Sequence, residues 1–111
     1  MERLSIGQVV LATFPFSDLS SNKLRPCLVL GIADFNDILL CQITSKAYGS
    51  ETAIQLQKSD FSAGSIVVDS FIRPDKIATL DTSRIKRKLG TVTDTKLTEV
   101  KQKLKFILEL N

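Results

Sequence analysis

The stretch LRPCLVLGIADFNDILLCQITSK, residues 24–46, decides the fold. Residues 26–33 and 37–44 are two apolar runs, and between them sit Asp34, Phe35 and Asn36, a turn-like group. Both runs are short for helices and bounded by turn signals, so they read as consecutive strands. Residues 9–16 place a third apolar, β-rich run ahead of them. Downstream, Ala53-Ile54-Gln55-Leu56-Gln57 alternates with period two, as a strand with one wet face does, and residues 65–72 form another β-branched run. Between those two, residues 58–64 predict one helical turn closed by Gly64. Short strands at this spacing predict a mainly β fold, a small barrel rather than a sandwich.

The period changes toward the C-terminus. Thr93 or Asp94 can cap a helix whose apolar positions Leu97, Val100, Leu104, Ile107 and Leu108 step by three and four. Lys96, Lys101, Lys103 and Lys105 lie mostly outside that stripe, so the helix should lay one face over the barrel. Residues 81–89 predict a shorter helix, with Gly90 as a left-handed cap. No repeat, low-complexity tract or linker interrupts the chain, and 111 residues are enough for one core, so residues 1–111 read as a single domain.

Composition narrows the chemistry. The chain has no histidine, which removes the usual acid/base group near neutral pH and the commonest metal ligand. Cys27 and Cys41 sit inside apolar runs without CxxC spacing, as buried free thiols do. No apolar run approaches the roughly 20 residues needed to cross a bilayer, and no secretory signal opens the sequence, so a soluble, cytoplasmic protein with no membrane partner is expected. The net charge of +3 is uneven: residues 84–111 carry eight Lys/Arg against three Asp/Glu, and residues 1–83 seven against nine. A solvated helix face accounts for such an end, and so does a polyanion partner.

Three places join reactive groups to strand ends: Arg25-Pro26, Thr44-Ser45-Lys46, and Ser70 to Asp75 with Arg73 between them. In a small barrel such ends can meet at one rim. Singly, each has a plain structural reading. Arg25 serves as an exposed charge, Thr44 as a strand-ending turn residue, and Arg73 with Asp75 as an ion pair on one strand face. Pro26 holds Arg25 in extended backbone, at a strand entrance.

Taken together, GQVVLATFPF, the polar loop, LRPCLVL, LLCQITSK, GSIVVDSFIRPDKIATLD and KLGTV with its helix resemble the MazF/PemK (Kid-like) toxins of bacterial type II toxin–antitoxin systems. The resemblance runs from about Ile6 to Leu108. It implies an SH3-like barrel of the CcdB/MazF/PemK type with a C-terminal helix, a homodimer, and a sequence-specific, ribosome-independent endoribonuclease that cuts single-stranded RNA. It also implies a cognate antitoxin, acidic and partly disordered, with operator DNA engaged only through the antitoxin complex, and neither cofactor nor metal. The family's arginine and threonine fall on Arg25 and Thr44, and the arginine and aspartate of the Kid-like branch fall on Arg73 and Asp75. Lys23, Ser45, Lys46 and Ser70 stand beside them as substrate contacts. The branch's loop histidine has no counterpart among residues 17–23, which read as a flap over RNA.

Metal-free cleavage by the ribose 2′-hydroxyl leaves a 2′,3′-cyclic phosphate and a 5′-hydroxyl. It needs an acceptor for one proton, stabilisation of charge on phosphorus, and a proton for the leaving oxygen. Arg25 and Arg73 suit the charge, Thr44 can add a hydrogen bond, and Asp75 is the carboxylate available as base. A carboxylate beside arginines gives up that stabilisation when it takes a proton, so turnover should be slow. Two other readings stand beside this one. A CcdB-like barrel would poison gyrase by binding alone, and a degenerate family member would bind RNA without turnover.

Overall fold

The computed structural model describes residues 3–13, 23–46 and 49–110. Residues 14–22, which carry Phe14, Phe16 and all of the expected flap but Lys23, and Tyr48 lie outside the described residues. Seven strands, β1 (Gln8–Thr13), β2 (Leu24–Ile32), β3 (Asp37–Thr44), β4 (Ile54–Leu56), β5 (Phe61–Gly64), β6 (Ser70–Asp81) and β7 (Ile85–Val92), precede one helix, α1 (Asp94–Leu108). All pairings are antiparallel and the order across the sheet is β4-β6-β3-β2-β1-β7-β5. The sheet coils into a half-barrel, the mainly β fold with a C-terminal helix that the residue pattern predicts. No helix among the described residues is long and apolar enough to cross a membrane.

The central strands read as unbroken apolar runs because both of their faces are covered. Val10, Ala12, Cys27, Val29, Ile38 and Leu40 point into one cluster, closed by Leu4, Leu80 and Ile85. Val9, Leu28, Cys41 and Ile43 point the other way, onto Val100 with Leu97 and Leu104 of α1. Phe35 and Asn36, at φ 60° and 65°, turn β2 into β3 with both central residues left-handed, the twist a tight hairpin needs. Thr93 caps α1, its Oγ1 accepting from the Lys96 N–H at 3.1 Å. Lys96 Nζ then ties the helix to the sheet through the Gln55 carbonyl at 2.9 Å, and Lys103 Nζ reaches the Glu51 carbonyl at 3.2 Å. The stripe expected to cover the barrel is buried at Val100, half-buried at Leu97, Leu104 and Ile107, and exposed at Leu108.

Three local expectations differ from the structure. Residues 81–89 do not form a helix: Asp81 caps a 3-10 turn at Thr82–Arg84, its Oδ1 accepting from the Ser83 N–H at 2.8 Å, and β7 follows. The free edge of β1 recruits that segment as a strand, and Gly90 sits within it without a left-handed φ. Residues 58–64 hold only a 3-10 turn, Lys58–Asp60, before β5, and the left-handed glycine there is Gly64, at φ 66°. Finally, β6 starts at Ser70 rather than at residue 65 and runs on to Asp81. Val67 is 89% exposed, so the β-branched run 65–69 does not serve as core strand.

Cys27 and Cys41 are both buried and free, and they project to opposite faces of the sheet, which keeps them from pairing. Burial pushes the Cys27 thiol up to about 12 and raises that of Cys41 as well. With negligible thiolate at pH 8, neither should react with iodoacetamide in the folded protein, and both should react once urea unfolds it. Mass spectrometry of the labelled protein checks this, and rapid native-state labelling would contradict it.

Candidate active site

Arg25, Thr44, Arg73 and Asp75 come from three adjacent strands. On β2, Arg25 lies opposite Ala12 of β1 and is half-buried. Among the described residues its guanidinium makes no ion pair, while its carbonyl accepts from the Cys27 thiol at 3.4 Å. On β3, Thr44 ends the strand, and its Oγ1 accepts from the Lys46 N–H at 3.2 Å, a local turn that leaves the hydroxyl proton available to a ligand.

The register between β3 and β6 breaks at one place. Cys41 lies opposite Ile77 but Gln42 lies opposite Arg73, so β6 carries Pro74, Asp75 and Lys76 as three residues without partners on β3. Proline, which lacks an N–H, fits where the ladder is interrupted, and Pro74 is fully buried there. Across it, Arg73 and Asp75 project to one side and form a two-pronged pair, Nη2 to Oδ2 at 2.7 Å and Nε to Oδ1 at 3.3 Å. The side chains are 16% and 31% exposed, so the pair sits at the surface with only part of its water removed.

Residues of β2, β3, β6 and β7 line a cavity of about 540 Å³. Five of the residues singled out from sequence line it: Arg25, Thr44, Ser45, Lys46 and Ser70. Arg73, Asp75 and Lys23 are not on its wall, and the link to Arg73 and Asp75 runs through Gln42, which lines the cavity and lies opposite Arg73. Ser70 is 2% exposed and donates to the Val68 carbonyl at 2.9 Å, so its hydroxyl shapes the turn at the cavity edge. Sequence reasoning missed Gln42, Lys76 and Arg87, which also line the space. Gln42 had a signal, a lone amide inside an apolar strand, whereas Lys76 and Arg87 look like ordinary surface cations. Arg25, Lys46, Lys76 and Arg87 make the wall cationic, and among the described residues no acid joins it. Such a wall favours an anion. No group of three or more Cys, Asp or Glu that could hold a metal occurs among the described residues.

The family model of the PemK-like, MazF-like toxins of type II toxin–antitoxin systems matches residues 5–108. The chain belongs to that family. A comparison with curated proteins found no significant match. Among solved structures, this PemK/MazF-type chain is similar to MazF from Deinococcus radiodurans, at 27% identity and a TM-score of 0.74 over 96% of each chain. It is also similar to the MazE–MazF complex of the same organism, at 25% identity and a TM-score of 0.73 over 97% of each chain. A mycobacterial endoribonuclease held in complex with its cognate antitoxin shares the fold, at 18% identity and a TM-score of 0.77 over 98% of each chain. In this PemK/MazF-type fold, then, the four residues carried over by resemblance lie on three neighbouring strands: Arg25 of β2 and Thr44 of β3 line the cavity, and Arg73 and Asp75 lie on β6 off its wall.

Proposed function

We propose that the protein is the toxin of a type II toxin–antitoxin pair and acts as a sequence-specific endoribonuclease on single-stranded RNA. The observation that carries this reading is the pairing of a two-pronged Arg73–Asp75 contact with a cationic cavity holding Arg25 and Thr44, on a chain of the PemK/MazF family. Neighbouring structures of an endoribonuclease with its antitoxin and of MazE with MazF support both the activity and the neutralising partner.

In the proposed reaction the ribose 2′-oxygen attacks the adjacent phosphorus. A 2′-O–P bond forms, the P–O5′ bond breaks, and the 2′-hydroxyl proton passes to the Asp75 carboxylate. Arg25 and Arg73 hold the nonbridging oxygens as negative charge builds, because a guanidinium stays ionised and offers paired donors. Thr44 adds its hydroxyl proton as a neutral hydrogen bond. The leaving 5′ oxygen takes its proton from water ordered by the arginines, since a guanidinium is a poor acid, and Asp75 returns its proton to the hydroxide so formed. Lys46, Lys76 and Arg87 would follow the flanking phosphates, and Lys23 and Ser45 contact the substrate. The active form is a homodimer, and operator DNA is met only in the antitoxin complex.

Purified protein mixed with a long single-stranded RNA in EDTA is expected to give discrete fragments with 5′-hydroxyl and 2′,3′-cyclic phosphate ends. Intact RNA across diverse sequences, together with inhibition of gyrase, would replace this reading by a CcdB-like one. RNA bound but left uncut would mean a family member without turnover.

A further inference from the structure

Gln42 is the polar side chain set within the apolar run of β3, and it stands amid the residues assigned to the reaction. Arg73 lies directly opposite on β6, Cys27 directly opposite on β2, and Thr44 two residues along, hence on the same face. The side chain is 9% exposed, and its Oε1 is buried and, among the described residues, accepts no hydrogen bond. A buried carbonyl oxygen without a donor destabilises a fold, whereas an apolar side chain of the same shape does not. Stability alone therefore gives no reason for glutamine here. The donor-rich residue paired with it across the strands is Arg73, whose Nε and Nη2 donate to Asp75.

We propose that Gln42 is a positioning residue for Arg73: its Oε1 accepts a guanidinium N–H when Asp75 takes up the 2′-hydroxyl proton. The inference rests on the ribonuclease reading above. While ionised, the Asp75 carboxylate holds Arg73 through two charge-assisted bonds. Once protonated, the carboxyl has lost its charge and one oxygen carries the proton, so its hold weakens as negative charge grows on phosphorus. An amide oxygen then keeps the guanidinium oriented without adding negative charge of its own, and the full cation stays available to the phosphate. A carboxylate in the same place would compete with the phosphate for Arg73.

The test uses Gln42→Leu and Gln42→Met, two apolar replacements of similar size, with kcat and KM measured on one short RNA containing the mapped cleavage site. Both variants are expected to lose tenfold or more in kcat, to keep KM within twofold, and to melt at the wild-type temperature or above it. Gln42→Glu should lose kcat as well. Wild-type kcat in the two apolar variants overturns the inference, as does a marked fall in their melting temperature, which would make Gln42 a structural residue. A changed cleavage sequence at an unchanged rate overturns it too, assigning Gln42 to base reading. If the wild-type protein leaves every RNA intact, the ribonuclease reading itself fails and this inference goes with it.

Discussion

Arg25→Ala should lower the rate of RNA cleavage by about 10²–10³-fold, the loss typical of removing one charge-stabilising donor from a reacting phosphate or carbonyl. Asp75→Ala should lower it by about 10²–10⁴-fold, as loss of a general base does. Both should relieve growth arrest in cells that express the protein without its antitoxin. The fold should survive each change for different reasons. Among the described residues no acid pairs with the Arg25 guanidinium, so its removal strands no carboxylate among them. Removing Asp75 takes away the two-pronged contact to Arg73, but the two side chains are 16% and 31% exposed and water replaces part of the contact, leaving a stability change within about 1 kcal/mol. The measurement is single-turnover cleavage beside circular dichroism and sedimentation of each variant. Wild-type cleavage by either, with the fold intact, would remove that residue from the proposed mechanism.

The largest expected effect on stability lies where β5 pairs with β7, next to Leu89 on the cavity wall. Gly64 and Gly90 lie opposite each other there. A Cβ on Gly90 would collide with the Ala63 carbonyl oxygen and stand 2.9 Å from Cδ2 of Phe61. A Cβ on Gly64 would strike the Leu89 carbonyl oxygen, and Gly64 also has φ 66°, a region that L residues enter only with strain. Overpacking against backbone and left-handed strain add to about 2–4 kcal/mol for Gly64→Ala, with Gly90→Ala at the lower end. Urea denaturation followed by circular dichroism measures both. Because β5 is an edge strand paired only with β7 among the described residues, the mutants can also answer by letting β5 peel off. That outcome appears as a smaller urea m-value rather than a lower midpoint alone. Gly64→Ala within 0.5 kcal/mol of wild type, at an unchanged m-value, would mean that the crossing is looser than it looks.

How much of this was legible in residues depended on whether one face or two were covered. The runs at 26–33 and 37–44 announce strands because β2 and β3 bury Cys27, Leu28, Val29, Leu40, Cys41 and Ile43 on alternating sides. Helix α1 announces itself through Thr93 and the spacing of Leu97, Val100 and Leu104. Residues 81–89 misled for a physical reason. Ile85 and Leu89 are four apart, as on a helix, and Lys86, Arg87 and Lys88 have no strand preference to set against that spacing. What decides the segment is the open edge of β1, a partner almost the whole chain away. At the candidate site, the family resemblance pointed to Arg25, Thr44, Arg73 and Asp75, and they lie on adjacent strands. Lys76 escaped notice because its direction depends on the irregularity at Pro74, and Arg87 because it belongs to the misread segment.

The pairing of β1 with β7, which sets Gln8 against Thr91, also fixes an order in time. During synthesis β1 emerges early, yet one of its edges has no partner until residues 85–92 have left the ribosome, several seconds later at roughly 5–20 residues per second. Strand β6, which carries Arg73 and Asp75, also comes late. A nascent chain therefore holds Arg25 and Thr44 long before it can assemble the patch around them. After release, a sheet joined mainly by distant segments should close in milliseconds to seconds rather than microseconds. The interval between the first strand and the last is one in which the proposed toxin exists as a chain but not yet as a catalyst.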